Sequence, residues 1–489
     1  MVTVLNYPSL LFYSHQRTFK IPEDVFFDIK FDALLNNNVF GVMSEFCNEE
    51  NIKYRQEAFK LLESDDAISK FERLLITINS LCELDGKFNN EICIEEKCFV
   101  FLAIIGKVIE FSEFAASLSF KGSALIERFV EFFREDVETE KFCDIKSKYN
   151  ELKEKVSEIN VFSFDIQGEN LKVVVKKDAT FSDKLIECAK NLELSGNYRK
   201  KIFSKDLSAP IISAFCKMKP ECYSPVKDFY EKYSSFYNAS LIDYKVQIEF
   251  YFYVSMLLKR VRERNIPVIY PTINASEKKI FISDAYDISL IAKNQSFIIP
   301  NDIDFSDKYS FAFLTGANGG GKTTYLRTIG INLILALNGA PVAAKTASIY
   351  PINKLFTHFP RDERFENTGR FVDEENRIAN ILNDLDDESM ILLNETYSTT
   401  SKEVAVLKTN ELATKLSQMN VFGIYITHQH SIDSNEIPVL SVIVDETDEN
   451  KRTYKISKMA QEKKSFADDI LKKYDLTKEA LQSRFGVII

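Results

Sequence analysis

Apolar residues recur at helical spacing through the first half of the chain. Ile68, Phe71, Leu74, Leu75, Ile78 and Leu81 follow i, i+3, i+4, i+7 steps, one face of an amphipathic helix, and Ser64-Asp65-Asp66 before them supplies its N-cap. Ile52, Ala58, Phe59 and Leu62 mark a helix just upstream. Phe142, Ile145, Tyr149, Leu152, Val156 and Ile159 alternate steps of three and four, a heptad seam. Around Val161-Phe162-Ser163-Phe164 and Leu171 to Val175 the period changes to two, which predicts strands. The helical pattern returns from Pro225 to Glu263 and stops at Asn265 and Pro267. Read as one helix, that stretch would be about 60 Å long and could act as a lever. Its Phe229, Tyr233, Phe236, Tyr244 and Phe250 are expected in a core rather than on a base-stacking platform. Nothing in this half supplies a nucleophile, an acid–base pair or a metal cluster. Residues 1–265 are therefore predicted to be an α-helical core and lever domain.

After residue 266 the pattern becomes short buried strands alternating with helices, an α/β arrangement. Ser310 to Leu314 reads as a strand, and Thr324 to Leu337 as a helix with Leu326, Ile329, Ile334 and Leu337 on its apolar face. Between them lies Gly316-Ala317-Asn318-Gly319-Gly320-Gly321-Lys322-Thr323, which fits the phosphate-binding G-x-x-x-x-G-K-[ST] pattern. Backbone N–H groups of such a turn cradle phosphate oxygens, and the helix N-terminus adds its positive end. Lys322 would reach the β- and γ-phosphates and Thr323 would ligate Mg²⁺, so ATP and Mg²⁺ are the expected cofactors. Ser389-Met390-Ile391-Leu392-Leu393-Asn394-Glu395 reads as a buried strand with two polar residues at its end. P-loop ATPases usually place an Asp for the Mg²⁺ shell there, sometimes followed by a Glu that polarises water. Asn394 could hold the metal through a water, and Glu395 is the candidate general base. A third strand, from Val421, ends in Thr427-His428, where His428 could touch the γ-phosphate or its water. A His428/His430 metal site lacks a third ligand. Tyr397-Ser398-Thr399-Thr400-Ser401 suits a subunit contact. Asn367 to Glu374 precedes a helix bearing Ile378, Ile381 and Leu382.

A net charge of -10 excludes a wholly basic nucleic-acid-coating protein, while leaving room for a local basic groove. The eight cysteines form no C-x-x-C and read as buried free thiols of a reducing cytoplasm. The start Met1 to Pro8 has no signal-peptide pattern. The apolar runs Cys98 to Gly106 and Phe250 to Leu258 fall far short of the roughly 20 residues needed to cross a bilayer, so no membrane is expected and a cytoplasmic location is.

Taken together, these pieces resemble the ATPase domain of the MutS family, the DNA mismatch-repair ATPases of the ABC-type P-loop class. The family's T-G-P-N-M-G-G-K-S-T stands here as Thr315-Gly316-Ala317-Asn318-Gly319-Gly320-Gly321-Lys322-Thr323-Thr324. Phe297-Ile298-Ile299-Pro300-Asn301-Asp302 is similar to its F-(I/V)-x-P-N-D element, which implies that Phe297 and Ile298 flank adenine. Ala379-Asn380-Ile381-Leu382, Glu374, Ile426-Thr427-His428 and Ser465 to Leu481 match further elements, so the likeness covers roughly 280 to 485. Tyr54 to Leu75 looks like the start of the family's helical core.

The departures are informative. The family's D-E is Asn394-Glu395, as in short bacterial MutS-like proteins. The family's S-T, which approaches the other subunit's ATP, falls on Gly369-Arg370, with Thr368 or Arg370 as candidates for that role. The mismatch-reading domain finds no counterpart, and the DNA clamp is expected to be shortened or missing. Phe111-Ser112-Glu113 mimics the family's F-x-E wedge, but in a helical context.

The resemblance thus implies an ABC-type P-loop NTPase domain over 266–489 with C-terminal helices. It implies a homodimer with composite sites that hydrolyses ATP and acts on DNA structure rather than on mismatches, in repair or recombination. The alternative is a nucleotide-gated dimeric switch or adaptor with little hydrolysis, acting on a protein, RNA or ribosome partner.

Overall fold

The structure is a computed structural model of the 489-residue chain. It describes residues 7–13, 19–35, 37–90, 93–157, 162–167, 170–175, 213, 216–217, 220–292, 295, 297–306, 309–360, 370–397, 400–428, 437–444 and 452–458. Side chains are not described at 37, 156–157, 162–175, 292, 370–371, 373, 444 and 458.

The helices are α1 (Glu23–Asp28), α2 (Asn37–Met43), α3 (Glu49–Leu61), α4 (Asp65–Phe88), α5 (Ile94–Ser117), α6 (Ala124–Glu138) and α7 (Glu140–Ser157). They continue as α8 (Pro220–Tyr233), α9 (Tyr244–Glu263), α10 (Ser289–Ala292), α11 (Lys322–Leu337), α12 (Arg370–Asp384) and α13 (Lys402–Gln418). The strands are β1 (Phe19–Lys20), β2 (Glu45–Phe46), β3 (Phe162–Gln167), β4 (Asn170–Val175), β5 (Thr272–Ile273), β6 (Ile280–Ala285) and β7 (Asn301–Phe305). The rest are β8 (Phe311–Thr315), β9 (Thr346–Ile349), β10 (Lys354–His358), β11 (Ser389–Asn394), β12 (Phe422–Ile426), β13 (Val439–Val444) and β14 (Arg452–Lys458). No helix among the described residues is long and apolar enough to cross a membrane.

Two compact units emerge, one of residues 1–11 and 64–249, the other of residues 12–63 and 250–489. In the first, α5 packs against α4, α6, α7 and α8. The Ser64 side chain accepts from the Ala67 N–H and starts α4, whose expected apolar face is buried. The run Cys98 to Gly106 lies within α5, with Cys98, Phe101, Leu102, Ile104 and Ile105 in the core. Phe111 is wholly buried against Phe129, Phe133 and Tyr244, so it is core and no DNA wedge. The heptad seam lies on α7, where Phe142, Ile145 and Leu152 are buried; Ile159 lies outside the described residues. The period-two stretch forms the antiparallel hairpin β3–β4.

The single helix expected from Pro225 to Glu263 is two helices. α8 ends at Tyr233, Asn238 caps a short 3₁₀ turn (Ala239–Asp243) by accepting from the Ser240 N–H, and α9 begins at Tyr244. Ser234, Ser235 and Asn238 favour local side-chain bonding over helix, and they override the aromatic periodicity running through them. Phe229, Tyr233, Tyr244 and Phe250 are buried as expected.

The second unit is built on a six-stranded sheet ordered β10-β11-β12-β8-β13-β14, parallel except for the β13–β14 pair. A four-stranded mixed sheet, β5-β9-β6-β7, accompanies it. β11, α13 and β12 make a β–α–β unit, the connection parallel neighbours need. The chain is thus mixed helix and sheet. The units do not divide at 265, because residues 12–63 pack with the sheet-bearing unit. Buried Arg55 of α3 donates from Nη1 to the Asn338 Oδ1 at 2.9 Å, and Asn338 Nδ2 donates to Met43 O and Ile334 O. The Cys47 N–H donates to Leu337 O. These bonds fix the C-terminal end of α11, whose other end forms the candidate site.

Candidate nucleotide site

β8 ends at Thr315 and α11 begins at Lys322, so the glycine-rich segment is a turn from strand to helix. Gly316, Gly319 and Gly321 have φ of 132°, 74° and 92°, values that residues with a Cβ rarely adopt. Gly321 is the left-handed N-cap of α11 and offers no side-chain cap, so the first-turn N–H groups face the turn. Lys322 is buried and folds back over the turn. Its Nζ donates to Gly316 O at 2.7 Å and Ala317 O at 3.1 Å. Burial pushes its pKa down from the ordinary value, and the nearby Glu395 carboxylate partly restores it. Thr323 and Thr324 follow, half-buried, in the first turn of α11.

The sheet register brings the other candidates to the same edge. Asn394 pairs with Ile426, and Ile426 pairs with Leu314, so β11, β12 and β8 end side by side. In parallel α/β sheets this carboxyl edge is where ligands bind. Asn394 is the last residue of β11 and is 8% exposed, and its Oδ1 is buried with no hydrogen-bond partner. A buried carbonyl oxygen left unbonded is costly, so this atom is placed to meet a ligand or its water. Glu395 leaves the strand at φ 51°, and its N–H donates to Ile426 O. His428 Nε2 lies 2.8 Å from Glu395 Oε1, with both side chains about one-third exposed at 37%. The hydrogen bond from His428 holds the Glu395 carboxyl below its ordinary pKa against the opposing effect of burial, with help from the charges of His428 and Lys322.

Phe297 is the most exposed large hydrophobic among the described residues, at 75%, and Ile298 is half-buried. The end of their segment is tied to β14, because Lys455 Nζ donates to Pro300 O, Asn301 Nδ2 donates to Tyr454 O, and the Ile456 N–H donates to Asn301 Oδ1. Tyr454 is not marked by any pattern in the sequence. It sits at φ 56°, is 45% exposed, and a Cβ on Gly321 would lie 3.3 Å from its Cδ1. An exposed aromatic packed on the turn is a further wall of the site. No motif surrounds it, only strand alternation.

Other expectations fall elsewhere. Thr368 and Gly369 lie outside the described residues, as do His430 and Ser465 to Leu481; Arg370 is the first residue of α12 and its side chain is not described. Glu374 lies within α12 rather than before a helix, consistent with an acidic run (Asp373, Glu374, Glu375) near a helix N-terminus. In the Tyr397 to Ser401 segment, Tyr397 is buried in the core and Ser401 caps α13, so both have roles within the chain. Three of the cysteines, Cys47, Cys98 and Cys216, are buried free thiols, whereas Cys143 is exposed. No metal-holding group of His, Cys, Asp or Glu occurs among the described residues.

A strand, a glycine turn and a helix N-terminus, with polar strand ends converging beside them, make up the candidate site. Residues 312–488 match the family model MutS domain V. The chain is 38% identical over 107 residues to the DNA mismatch repair protein MutS of Chlorobium chlorochromatii, covering 22% of this chain and 12% of that protein. It is 32% identical over 143 residues to the protein of that name from Fusobacterium nucleatum, covering 28% and 16%. With that of Prochlorococcus marinus it shares 31% over 165 residues, covering 33% and 16%. The matches thus span less than one-fifth of the length of these curated relatives. Through this region the chain is similar to the MutS family.

Proposed function

We propose that the chain is a MutS-like ATPase with an ABC-type P-loop site. The single observation that carries this reading is the unpartnered, buried Asn394 Oδ1 at the strand end beside the glycine turn. Lys322 now spends its ammonium on the turn's own carbonyls, and we assign it to the β- and γ-phosphates when ATP is bound. Gly316 to Thr324 cradle the phosphates through backbone N–H groups. Thr323 and, through a water, Asn394 would hold Mg²⁺, which supplies charge neutralisation on the phosphates. Glu395 orients and deprotonates the attacking water, and His428 holds that carboxylate ionised and faces the γ-phosphate. Phe297 and Ile298, with Tyr454, flank the base.

By analogy with the family, two copies would complete each other's site through Thr368, Gly369 or Arg370. The helical residues up to 265 other than 12–63, α9 above all, would serve as core and lever for an ATPase domain over 266–489, with residues 12–63 packed in the sheet-bearing unit. We propose DNA as the partner, recognised by structure rather than by mismatch. A second reading, a nucleotide-gated switch with little turnover acting on a protein or RNA partner, is favoured by one feature, the neutral amide of Asn394 where a carboxylate would bind Mg²⁺ more strongly. Steady-state ATP hydrolysis with and without duplex and branched DNA, with Lys322→Ala as blank, separates them. DNA-stimulated turnover supports the first. Saturable ATP binding with turnover equal to the blank refutes it and leaves the switch.

A further inference from the structure

The residue after the candidate base is as unusual as the base itself. Glu395 and Tyr397 both adopt left-handed backbone, φ 51° and 65°, although neither is glycine. Such conformations persist only where the surroundings over-determine them. Between them stands Thr396, 4% exposed in a largely apolar core. Its carbonyl oxygen accepts from the Tyr425 hydroxyl at 3.1 Å, and its Oγ1 lies 3.0 Å from His358 Nδ1. The Tyr425 hydroxyl is itself 3.1 Å from the Thr409 Oγ1. His358 ends β10 and Tyr425 lies in β12, the strands on either side of β11, and each pairs in register with Leu393. Burial pushes the Tyr425 phenol well above its ordinary pKa, which keeps it a hydrogen-bond donor.

We infer that Thr396 is a positioning residue: clamped by His358 and Tyr425 from the two flanking strands, it holds the Glu395 turn in left-handed backbone and so aims the carboxylate at His428 and the reacting water. The inference rests on the ATPase reading and adds three residues to it, none of which touches substrate. A clamp of this kind governs the rate and not nucleotide affinity, since Lys322 and the glycine turn bind the phosphates without it.

The test uses the full chain, four single variants, one double variant and the Lys322→Ala blank, with kcat and KM for ATP measured beside the thermal midpoint. Thr396→Val keeps the shape and removes the hydroxyl; it should lower kcat by about tenfold with KM within about twofold, the scale expected when a catalytic group loses its aim. Thr396→Ser restores the hydroxyl and should return kcat to within about twofold of the parent. Tyr425→Phe should lower kcat in the same direction as Thr396→Val. Glu395→Gln sets the floor, and adding Thr396→Val to it should change the residual rate no further, because the clamp acts only through that carboxylate. Unchanged kcat in Thr396→Val while Glu395→Gln is strongly impaired overturns the clamp alone. A multiplicative loss in the double variant also overturns it, since the effect would then be general. If Glu395→Gln turns over like the parent, or the parent turns over no faster than Lys322→Ala, the ATPase reading fails and the clamp with it.

Discussion

The two ends of α11 are built from opposite materials. At its C-terminal end Asn338 is fully buried and its amide is fully used, accepting from Arg55 and donating to Met43 and Ile334 carbonyls. Arg55 is buried there too, flanked by the rings of Phe12 and Phe250 at 4.9 and 5.2 Å. At the N-terminal end the helix has a glycine cap with no side-chain partner, a lysine folded onto backbone oxygens and, beside it, an asparagine oxygen bonded to nothing. At one end the Asn338 amide is satisfied within the chain, which gives rigidity. The other end leaves hydrogen-bonding capacity for a ligand. A phosphate site needs both, because a cradle aims its donors only if the helix bearing them cannot shift.

The comparison predicts that substitutions at the two ends fail in different ways. The largest effect is expected at the open end. Lys322→Ala should cut ATP turnover on the order of a thousandfold, about 4 kcal/mol of transition-state stabilisation, while its denaturation midpoint stays at the parent value or above. Relief of a buried ammonium is the reason stability should not suffer. At the satisfied end, Asn338→Leu strands the Arg55 guanidinium and the Met43 carbonyl, and should cost about 3 kcal/mol in denaturant unfolding. If Asn338→Leu is as stable as the parent, the anchoring role is wrong.

Smaller effects sharpen the picture of the open end. Asn394→Asp would place a carboxylate where the oxygen is unpartnered, and should lower the Mg²⁺ concentration for half-maximal turnover by roughly fivefold, about 1 kcal/mol. The smallest effect is a shift along the pH axis. The His428 hydrogen bond depresses the Glu395 pKa, and a base is lost as pH falls through its pKa. In His428→Asn that pKa rises toward the ordinary carboxylate value, so the acid limb of the rate profile should move to higher pH. An acid limb that stays put or moves lower would show that His428 does not tune Glu395.

The open end was legible in the sequence because its chemistry demands particular residue types in contiguous runs. Gly316 to Thr323, Asn394-Glu395 and Thr427-His428 each announce themselves, and alternating apolar strands locate them at strand ends. The satisfied end was not legible, because its partners are far apart in the chain. Arg55 and Asn338 are separated by 283 residues, and neither belongs to a motif. For the same reason residues 12–63 looked like part of the helical half, although they fold with the sheet. Tyr454, Thr396 and Tyr425 escaped notice since an aromatic in a strand or a threonine just past one is ordinary until its neighbours are known. The break between α8 and α9 was hidden by aromatic spacing that continues across Asn238 without regard to the local hydrogen bond it makes with the Ser240 N–H.

The most direct test is equilibrium binding of ATP and Mg²⁺ to the parent, Lys322→Ala and Asn338→Leu proteins below their unfolding transitions. The account predicts saturable binding to the parent, binding weakened about a hundredfold or more in Lys322→Ala, and a far smaller change in Asn338→Leu. Equal affinity in the parent and Lys322→Ala proteins would contradict it, because the open end of α11 would then not be where the phosphates sit.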